Sequence, residues 1–185
     1  MTGRGSTFHI EALSADAARA AEPALVEILR DCVDSGASVG FLPPLKPATA
    51  SAYWRTVFSA LDEGARVLLI ARRAGDGAIV GTAQLDPAGK ENARHRAEVA
   101  KVLVPQAARR QGIARALMLA LEDHARRLRR TTLVLDTRQG DPSEHLYTAL
   151  GWQRVGAIPE YCESEGGKLD ATVVYFKLLE RGGPA

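Results

Sequence analysis

The stretch Arg109-Arg110-Gln111-Gly112-Ile113-Ala114-Arg115 connects an alternating apolar run to an amphipathic helix. The run before it, residues 98–104, predicts a strand that Pro105 ends, and residues 116–128 have helical spacing. The first N–H groups of a helix lack intrahelical partners, and the helix dipole favours negative charge there. Gly112 allows the backbone to approach a ligand closely, and the arginines add positive charge. The sequence therefore predicts a turn that binds a phosphate-bearing ligand.

The spacing of this turn excludes two common phosphate-binding loops. The chain contains no G-x-x-x-x-G-K-[ST] pattern, and no G-x-G-x-x-G pattern follows a strand. What remains is a short turn with Gly112 and Ala114, which suits a single pyrophosphate held mainly by main-chain N–H groups. The alternative is that Arg109, Arg110 and Arg115 form only the solvated start of a surface helix. The arginines at the far end of that helix complement its dipole and are not counted as ligands.

Length and composition restrict the class of protein. The 185 residues predict a single domain over 1–185, with a core from about residue 8 to 179. A net charge of +2 is too weak to predict nucleic-acid binding. The two cysteines and four histidines have no metal-ligand spacing, so no metal site is expected. Residues 1–6 lack the apolar core of a signal peptide, and no apolar run reaches membrane length, which predicts a cytoplasmic protein without a membrane partner.

The order of the predicted elements is β-α-α-β-β-β-α-β-α-β-β. The predicted strands span residues 8–13, 66–72, 78–85, 96–104, 133–136, 153–158 and 171–179. The predicted helices span residue 14 or 16 to about 33, then 49–62, 116–130 and 143–150. An Asp-Gly pair between the second and third strands indicates a hairpin. This order predicts an α/β fold in which an antiparallel hairpin precedes the anion-binding strand and helix.

Residues 102–118 read VLVPQAARRQGIARALM, and residues 145–152 read HLYTALGW. The two segments resemble motifs of one family, the GCN5-related N-acetyltransferase (GNAT) superfamily. The first is similar to the acetyl-CoA motif of that family, which has Arg or Gln, two residues, Gly, one residue, and then Gly or Ala. Arg109, Gly112 and Ala114 occupy the three defined positions. Residues 145–152, HLYTALGW, resemble the aromatic signature that ends a later helix, with tryptophan where phenylalanine is more usual. The order of elements agrees with the family from about residue 8 to 179.

The resemblance implies a fold and an activity. The expected fold is a mixed, mostly antiparallel central sheet of about seven strands flanked by about four helices. The expected activity is acetyl transfer from acetyl-CoA to a primary amine of a small molecule, by direct attack in a ternary complex. Residues 35–45 and 167–177 further resemble the branch that contains the tabtoxin resistance acetyltransferase, which suggests an amino-acid-like toxin or antimetabolite as acceptor. A homodimer is compatible with this assignment.

The resemblance also implies which residues bind acetyl-CoA. They are Val102, Leu103, Val104, Arg109, Arg110, Gln111, Gly112, Ile113, Ala114, Arg115, Asp141 and Ser143. The two valines are expected to bind the pantetheine arm through main-chain groups. Asp141 and Ser143 lie in the loop where the family usually has an asparagine near that arm, so this contact departs from the family pattern.

Two carboxylates are candidates for handling the proton of the amine. Glu98 alternates with Ala100 and Val102 on one face of the anion-binding strand, and a carboxylate partly buried in a cleft would have a raised pKa. Its alternative is a solvent-facing glutamate. Asp136 ends the next strand, where ligands of α/β sheets often bind, so it is a candidate proton relay or amine ligand. Its alternative is to cap the loop of residues 137–141.

Tyr147 and Cys162 are the remaining candidates for a part in the chemistry. Tyr147 matches the family tyrosine that points at the sulfur of CoA and is therefore the expected proton donor to the leaving thiolate. Its alternative, by composition, is core packing beside Leu146 and Leu150. Cys162 has no basic residue nearby in sequence to activate it, so a covalent acetyl-enzyme is not expected.

The acceptor pocket is expected between the loop of residues 36–47, the second helix and the last two strands. Its candidate aromatic walls are Phe41, Tyr53, Trp54, Tyr161 and Tyr175. Packing in the core is the alternative for each of them. Two other functions remain open: a non-catalytic sensor that binds acyl-CoA, and an acetyltransferase acting on a macromolecular amine of a protein or an aminoacyl-tRNA.

Overall fold

The strand before the anion turn is the fourth of seven in a computed structural model that describes residues 7–180. The N-terminal residues on which the absence of a signal peptide was predicted lie outside the described residues. Between residues 7 and 180, no helix is long and apolar enough to cross a membrane. The same residues contain no cluster of three or more His, Cys, Asp or Glu side chains suited to a metal ion.

The helices and strands follow the predicted order. The strands are β1 (Phe8–Ala12), β2 (Val67–Arg73), β3 (Ile79–Pro87), β4 (Arg96–Leu103), β5 (Thr132–Arg138), β6 (Gln153–Glu163) and β7 (Leu169–Leu178). The helices are α1 (Ala15–Ala20), α2 (Glu22–Asp34), α3 (Pro47–Asp62), α4 (Ile113–Arg127) and α5 (Ser143–Ala149). The first predicted helix is thus two helices, which raises the expected four to five. It breaks at Ala21 because Pro23, in the first turn of α2, has no N–H to continue the bonding of α1.

The sheet has the strand order β1-β2-β3-β4-β5-β7-β6. Every neighbouring pair is antiparallel except β4 and β5, which are parallel, so the predicted mixed and mostly antiparallel sheet is confirmed. The parallel pairing involves only Arg96–Glu98 of β4 and Thr132–Val134 of β5, after which the two strands diverge. Lys101 has a φ of 51°, and the register of β3 with β4 shifts beside it. This bulge bends β4 away from β5 and opens the sheet.

The two faces of the sheet are covered by different helices. On one face, α4 packs Leu117 and Leu121 against buried residues such as Val99 and Leu133. On the other face, α2 and α3 cover the first strands, where Trp54 is fully buried. Each fully buried apolar side chain of this size contributes about 1.5–3 kcal/mol to stability. The second set of helices stops short of β5, β7 and β6, and that leaves room for a cavity beside β4.

A close approach between β3 and α4 sets the position of the helix that follows the predicted anion turn. A Cβ atom added to Gly81 of β3 would lie 2.8 Å from Cγ2 of Ile113, the first residue of α4. It would also lie 3.2 Å from the carbonyl oxygen of Leu103. Glycine at this position therefore lets the N-terminus of α4 pack directly on the sheet, next to the end of β4.

A buried ion pair ties α4 to the last strand. Glu122 of α4 is 2% exposed, and Nζ of Lys177 on β7 lies 2.7 and 2.8 Å from its two carboxylate oxygens. The same ammonium group donates to the carbonyl oxygen of Leu150, just after α5, at 2.6 Å. One lysine thus connects α4, the sheet and the end of α5, the helix that carries Tyr147.

Candidate active site

The divergence of β4 and β5 opens a cavity of about 290 Å³. It is closed on one side by Ala37–Gly40 of the loop after α2, and on another by Tyr161 and Cys162 of β6. The three residues predicted to act in catalysis, Glu98, Asp136 and Tyr147, all line this cavity. They come from β4, β5 and α5, so the sheet and the helix together bring them to one place.

Glu98 lies on the face of β4 opposite the α4 core, because its neighbours Ala97 and Val99 are buried there. Asp86 of β3 is its cross-strand partner and lies on the same face. The pKa of Glu98 is raised above its ordinary value of 4.5, first by partial burial and then by the negative charges of Asp86 and Asp136. The raised pKa agrees with the prediction, although the side chain of Glu98 is more exposed than the partly buried position expected in a cleft.

Asp136 is held by a neighbouring strand rather than by its own loop. Thr172 Oγ1 of β7 lies 2.7 Å from Asp136 Oδ2 and donates its hydrogen bond there or to the carbonyl oxygen of Thr137 at 2.9 Å. Loop capping, the alternative for Asp136, is instead done by Asp141, whose Oδ1 accepts from the N–H of Ser143 at 2.8 Å. Asp136 therefore keeps a carboxylate oxygen free to face the cavity.

Tyr147 lines the cavity and also packs in the core on the α4 side of the sheet. Its ring packs 6.2 Å from that of Trp152 and 5.8 Å from that of Tyr175, between ring centres, and the residue is 7% exposed. Burial raises the pKa of Tyr147 to about 12, which keeps the phenol protonated. At the same wall of the cavity, the hydroxyl groups of Ser143 and Thr137 are hydrogen-bonded at 2.8 Å. The ring of Tyr147 is thus held by packing and its phenol is protonated at neutral pH, while its role as proton donor stays a prediction.

The predicted anion turn is formed by the N-terminus of α4. Gly112 is its N-cap residue with a φ of 81°, and Arg110 has a φ of 64°. Among the described residues, no side chain caps this end, so its first amides point outward without a protein acceptor. The side chains of Arg110, Gln111 and Arg115 are exposed around it. This arrangement fits a pyrophosphate, with a dipole, free amides and two guanidinium groups at one point.

Several other residues predicted to bind acetyl-CoA have side chains that contact the protein or are buried. Arg109 turns back to the protein, where its Nε donates to the carbonyl oxygen of Val104 at 3.1 Å and its guanidinium donates to Ser35 Oγ at 2.7 Å. It braces the turn against the end of α2. The side chains of Leu103 and Ile113 are buried, so only their main-chain groups are available to a ligand. Val102 and Ala114 are half buried.

Two of the five predicted acceptor-site aromatics are corrected by the structure. Trp54 is fully buried and donates from Nε1 to the carbonyl oxygen of Leu25 at 2.9 Å, because it lies on the inward face of α3. Tyr175 is 2% exposed and faces the α4 side of β7, where its hydroxyl donates to Glu144 Oε2 at 2.6 Å. Both are structural residues, and Tyr175 supports the ring of Tyr147 from behind.

The remaining aromatics lie closer to the cavity. Tyr161 lines the cavity beside Glu98, and Phe41 lines a neighbouring one. Tyr53 is half buried and lines neither cavity. Its ring lies edge-on to Phe41 with 5.5 Å between ring centres, and its hydroxyl donates to Gln84 Oε1 at 2.9 Å.

A second cavity of about 380 Å³ adjoins the first, between the loop after α2 and the turn joining β6 to β7. The two share the walls Ala37, Ser38 and Arg138. Together they form a path from the protein surface to the carboxylates at the divergence of the strands. A hydrogen-bond contact of 3.4 Å between Ser38 Oγ and Cys162 Sγ joins the loop to β6 across this path.

Three charged residues of this region were missed by the sequence analysis. Lys101 sits at the bulge with Nζ 5.5 Å from the centre of the Tyr53 ring, and its pKa is lowered first by burial. Asp86 is paired with Arg66. Arg138 lies two residues after Asp136 on β5, and strand alternation alone would have placed it on the same face. The bulge at Lys101 has no comparable sequence signal.

Comparison with known proteins agrees with this architecture. Residues 25–152 match the sequence model of the acetyltransferase (GNAT) family, and the chain belongs to that family. It is 30% identical over 149 residues to an uncharacterized N-acetyltransferase encoded in the hisH-hisA intergenic region of Azospirillum brasilense, covering 69% of this chain and 86% of that protein. The predicted family is confirmed, and with it an N-acetyltransferase that uses acetyl-CoA.

Solved structures share the fold at low identity. A ribosomal-protein-alanine N-acetyltransferase from Brucella melitensis is 24% identical, with a TM-score of 0.78 over 92% of this chain and 99% of its own. A phosphinothricin acetyltransferase from Sinorhizobium meliloti, solved with AcCoA, is 21% identical, with a TM-score of 0.78 over 96% of this chain and 91% of its own. These two neighbours differ in the acceptors that their names give. The resemblance of this chain to one branch of the family stays a prediction.

Proposed function

We propose that this N-acetyltransferase acetylates the primary amine of a small, amino-acid-like molecule by direct attack within a ternary complex. The observation that carries the proposal is the meeting of Glu98, Asp136 and Tyr147 around one cavity at the divergence of β4 and β5. The volumes of the two adjoining cavities, about 290 and 380 Å³, suit a small ligand. Acetyl-CoA, when bound, supplies an activated acetyl thioester.

Glu98 acts as the general base for the acceptor. An alkyl amine has a pKa near ~10 and is mostly protonated at neutral pH, so it must lose a proton before it attacks. A carboxylate whose pKa is raised by burial and by Asp86 and Asp136 is a better base than an ordinary glutamate. Asp136 holds the ammonium group before transfer and relays its proton, since it lies on the same face and is fixed by Thr172.

Tyr147 acts at the opposite end of the reaction. As the new C–N bond forms and the C–S bond breaks, its phenol donates a proton to the leaving sulfur. The pKa of about 12 keeps that proton in place until negative charge develops nearby. The amides at the start of α4 and the side chains of Arg110 and Arg115 hold the pyrophosphate, and the unpaired edge of β4 after Glu98 offers main-chain groups to the pantetheine arm.

The sensor alternative is disfavoured by the same geometry. A protein that only bound acyl-CoA would need the anion turn and the edge of β4, but not a base, an acid partner and a hydroxyl donor in one cavity. The path through the second cavity is bordered by loops on both sides. Experiment distinguishes a macromolecular acceptor from a small one.

The test is release of free thiol from acetyl-CoA in the presence of separate acceptors: amino acids, alkyl amines, diamines and a peptide with a free N-terminus. We expect release with at least one small amine, and loss of that release in Glu98→Gln at neutral pH. Calorimetry with CoA is the control that the variant still binds cofactor. Tight binding of acetyl-CoA with no thiol released by any acceptor would support the sensor, and turnover of the peptide alone would support a macromolecular acceptor.

A further inference from the structure

Arg138 occupies the wall that the two cavities share. It follows Asp136 by two residues on β5, so both side chains leave the same face of the strand with their Cα atoms about 6–7 Å apart. Asp136 and Glu98 lie on the inner side of Arg138, and the second cavity lies on its outer side. Any molecule that reaches the two carboxylates through the second cavity must therefore pass the guanidinium group.

The guanidinium group of Arg138 has no hydrogen-bond acceptor among residues 7–180. Its nearest carboxylate oxygen, Oδ2 of Asp141, is 3.9 Å away, and the other oxygen of that aspartate already accepts from the N–H of Ser143. Its side chain is nevertheless only 29% exposed. Lys168, another cation of the second cavity, differs in this respect, because its Nζ lies 2.6 Å from Asp170 Oδ1. Five N–H donors without a protein acceptor, on a partly buried side chain at the shared wall of two cavities, are suited to an anionic group of a ligand.

We propose that Arg138 is the residue that selects the acceptor, by binding the carboxylate of an α-amino acid whose amine is directed to Asp136 and Glu98. This inference rests on the proposed function and narrows its substrate class to zwitterions. The carboxylate of Asp136 and the guanidinium group of Arg138, side by side on one strand face, match the ammonium and carboxylate groups that an α-amino acid carries on the same carbon atom. Two parallel N–H···O bonds from the fork would also fix the orientation of the amine.

The acidic residues of the second cavity are the main argument for a different acceptor. Asp34, Glu163, Glu165 and Asp170 line it, which would also attract a molecule with two positive charges. Asp34 accepts from the N–H of Leu45 at 2.8 Å, and Asp170 is paired with Lys168. Glu163 and Glu165 are exposed at the rim. These two glutamates would attract the ammonium group of any acceptor. They cannot bind the carboxylate of an amino acid, which needs a cation such as Arg138.

The experiment measures equilibrium binding as well as turnover. Each of the twenty standard L-α-amino acids is titrated by calorimetry into the protein saturated with CoA, and the best binder is compared with its carboxamide. We expect the carboxamide to bind about 100-fold more weakly. Arg138→Gln should weaken the amino acid by about the same factor, leave the carboxamide unchanged and leave CoA binding unchanged. Arg138→Lys should restore part of the loss, because it keeps the charge without the fork.

Arg154→Gln on β6 is the matched control, an exposed arginine outside both cavities that should change nothing. Three results would overturn the proposal: equal binding of the acid and the carboxamide, an equal loss of both in Arg138→Gln, or binding of alkyl diamines while every amino acid fails at millimolar concentration. Thiol release separates this failure from that of the proposed function. If diamines are acetylated while every amino acid fails, direct transfer to a small primary amine stands, whereas the amino-acid-like acceptor and the role of Arg138 both fall.

Discussion

Replacing Lys177 by methionine is expected to destabilise the protein severely. The variant leaves the Glu122 carboxylate, whose side chain is 3% exposed, without the ammonium group that contacts both of its oxygens. Its other cationic partner, Arg126, lies 3.7 Å away and is 46% exposed, so it compensates little. Stranding one member of a buried pair costs about 3–5 kcal/mol. At ~2–4 °C per kcal/mol for a chain of this size, the Tm falls by roughly 6–20 °C.

The assay is urea unfolding followed by the fluorescence of the buried Trp54 and Trp152, supported by calorimetry. The double variant Glu122→Leu/Lys177→Met removes both charges and should recover more than half of the loss, with about 1 kcal/mol remaining for the carbonyl group of Leu150. Arg126→Met is the matched control and should cost less than ~1 kcal/mol. The reasoning is refuted if the single and double variants unfold at the same urea concentration, or if Arg126→Met costs as much as Lys177→Met.

Three further predictions concern activity. In Glu98→Gln, kcat/KM should fall about 100-fold at neutral pH and recover partly as the pH approaches the pKa of the amine. In the wild type, kcat/KM should rise with pH through a midpoint above 4.5, and Asp86→Asn should lower that midpoint because it removes a negative charge beside Glu98. A pH profile that is unchanged in Glu98→Gln would exclude Glu98 as the base. Tyr147→Phe should lower kcat by about 100-fold without changing the Kd of acetyl-CoA, and a normal kcat in stopped-flow thiol release would contradict its role as acid. Gly81→Val should lower the free energy of unfolding by about 1–3 kcal/mol and weaken acetyl-CoA binding, because it displaces the start of α4. Gly75→Val, which has open space around it, should change neither quantity when both variants are measured by unfolding and by calorimetry.

The elements that carry the site were predictable because they depend on local patterns. Strand alternation placed Glu98 opposite the core, and the Gly112 turn predicted the start of a helix within three residues of its observed position. The burial of Trp54 and Tyr175 could not be read in the same way, because it depends on which face of an element meets the sheet. A residue such as Tyr53 can equally face a core or a pocket until its neighbours are known.

The geometry between strands was beyond the reach of sequence patterns. The bulge at Lys101 has no glycine or proline to indicate it, yet it opens the sheet and creates the cavity. The pKa of Glu98 depends on Asp86, which is twelve residues away in sequence and directly opposite in space. Long-range pairing, rather than composition, places these charges together.

The brief pairing of β4 with β5 divides the site into parts that evolve under different constraints. On the donor side, the contacts proposed for the pantetheine arm are main-chain groups of β4, so we expect substitutions at Val102 to alter acetyl-CoA binding weakly as long as the backbone is kept. On the acceptor side, the walls are side chains on a loop and on β5 and β6. We therefore expect that mutation of these side chains can change which amine is accepted while the acetyl donor stays the same.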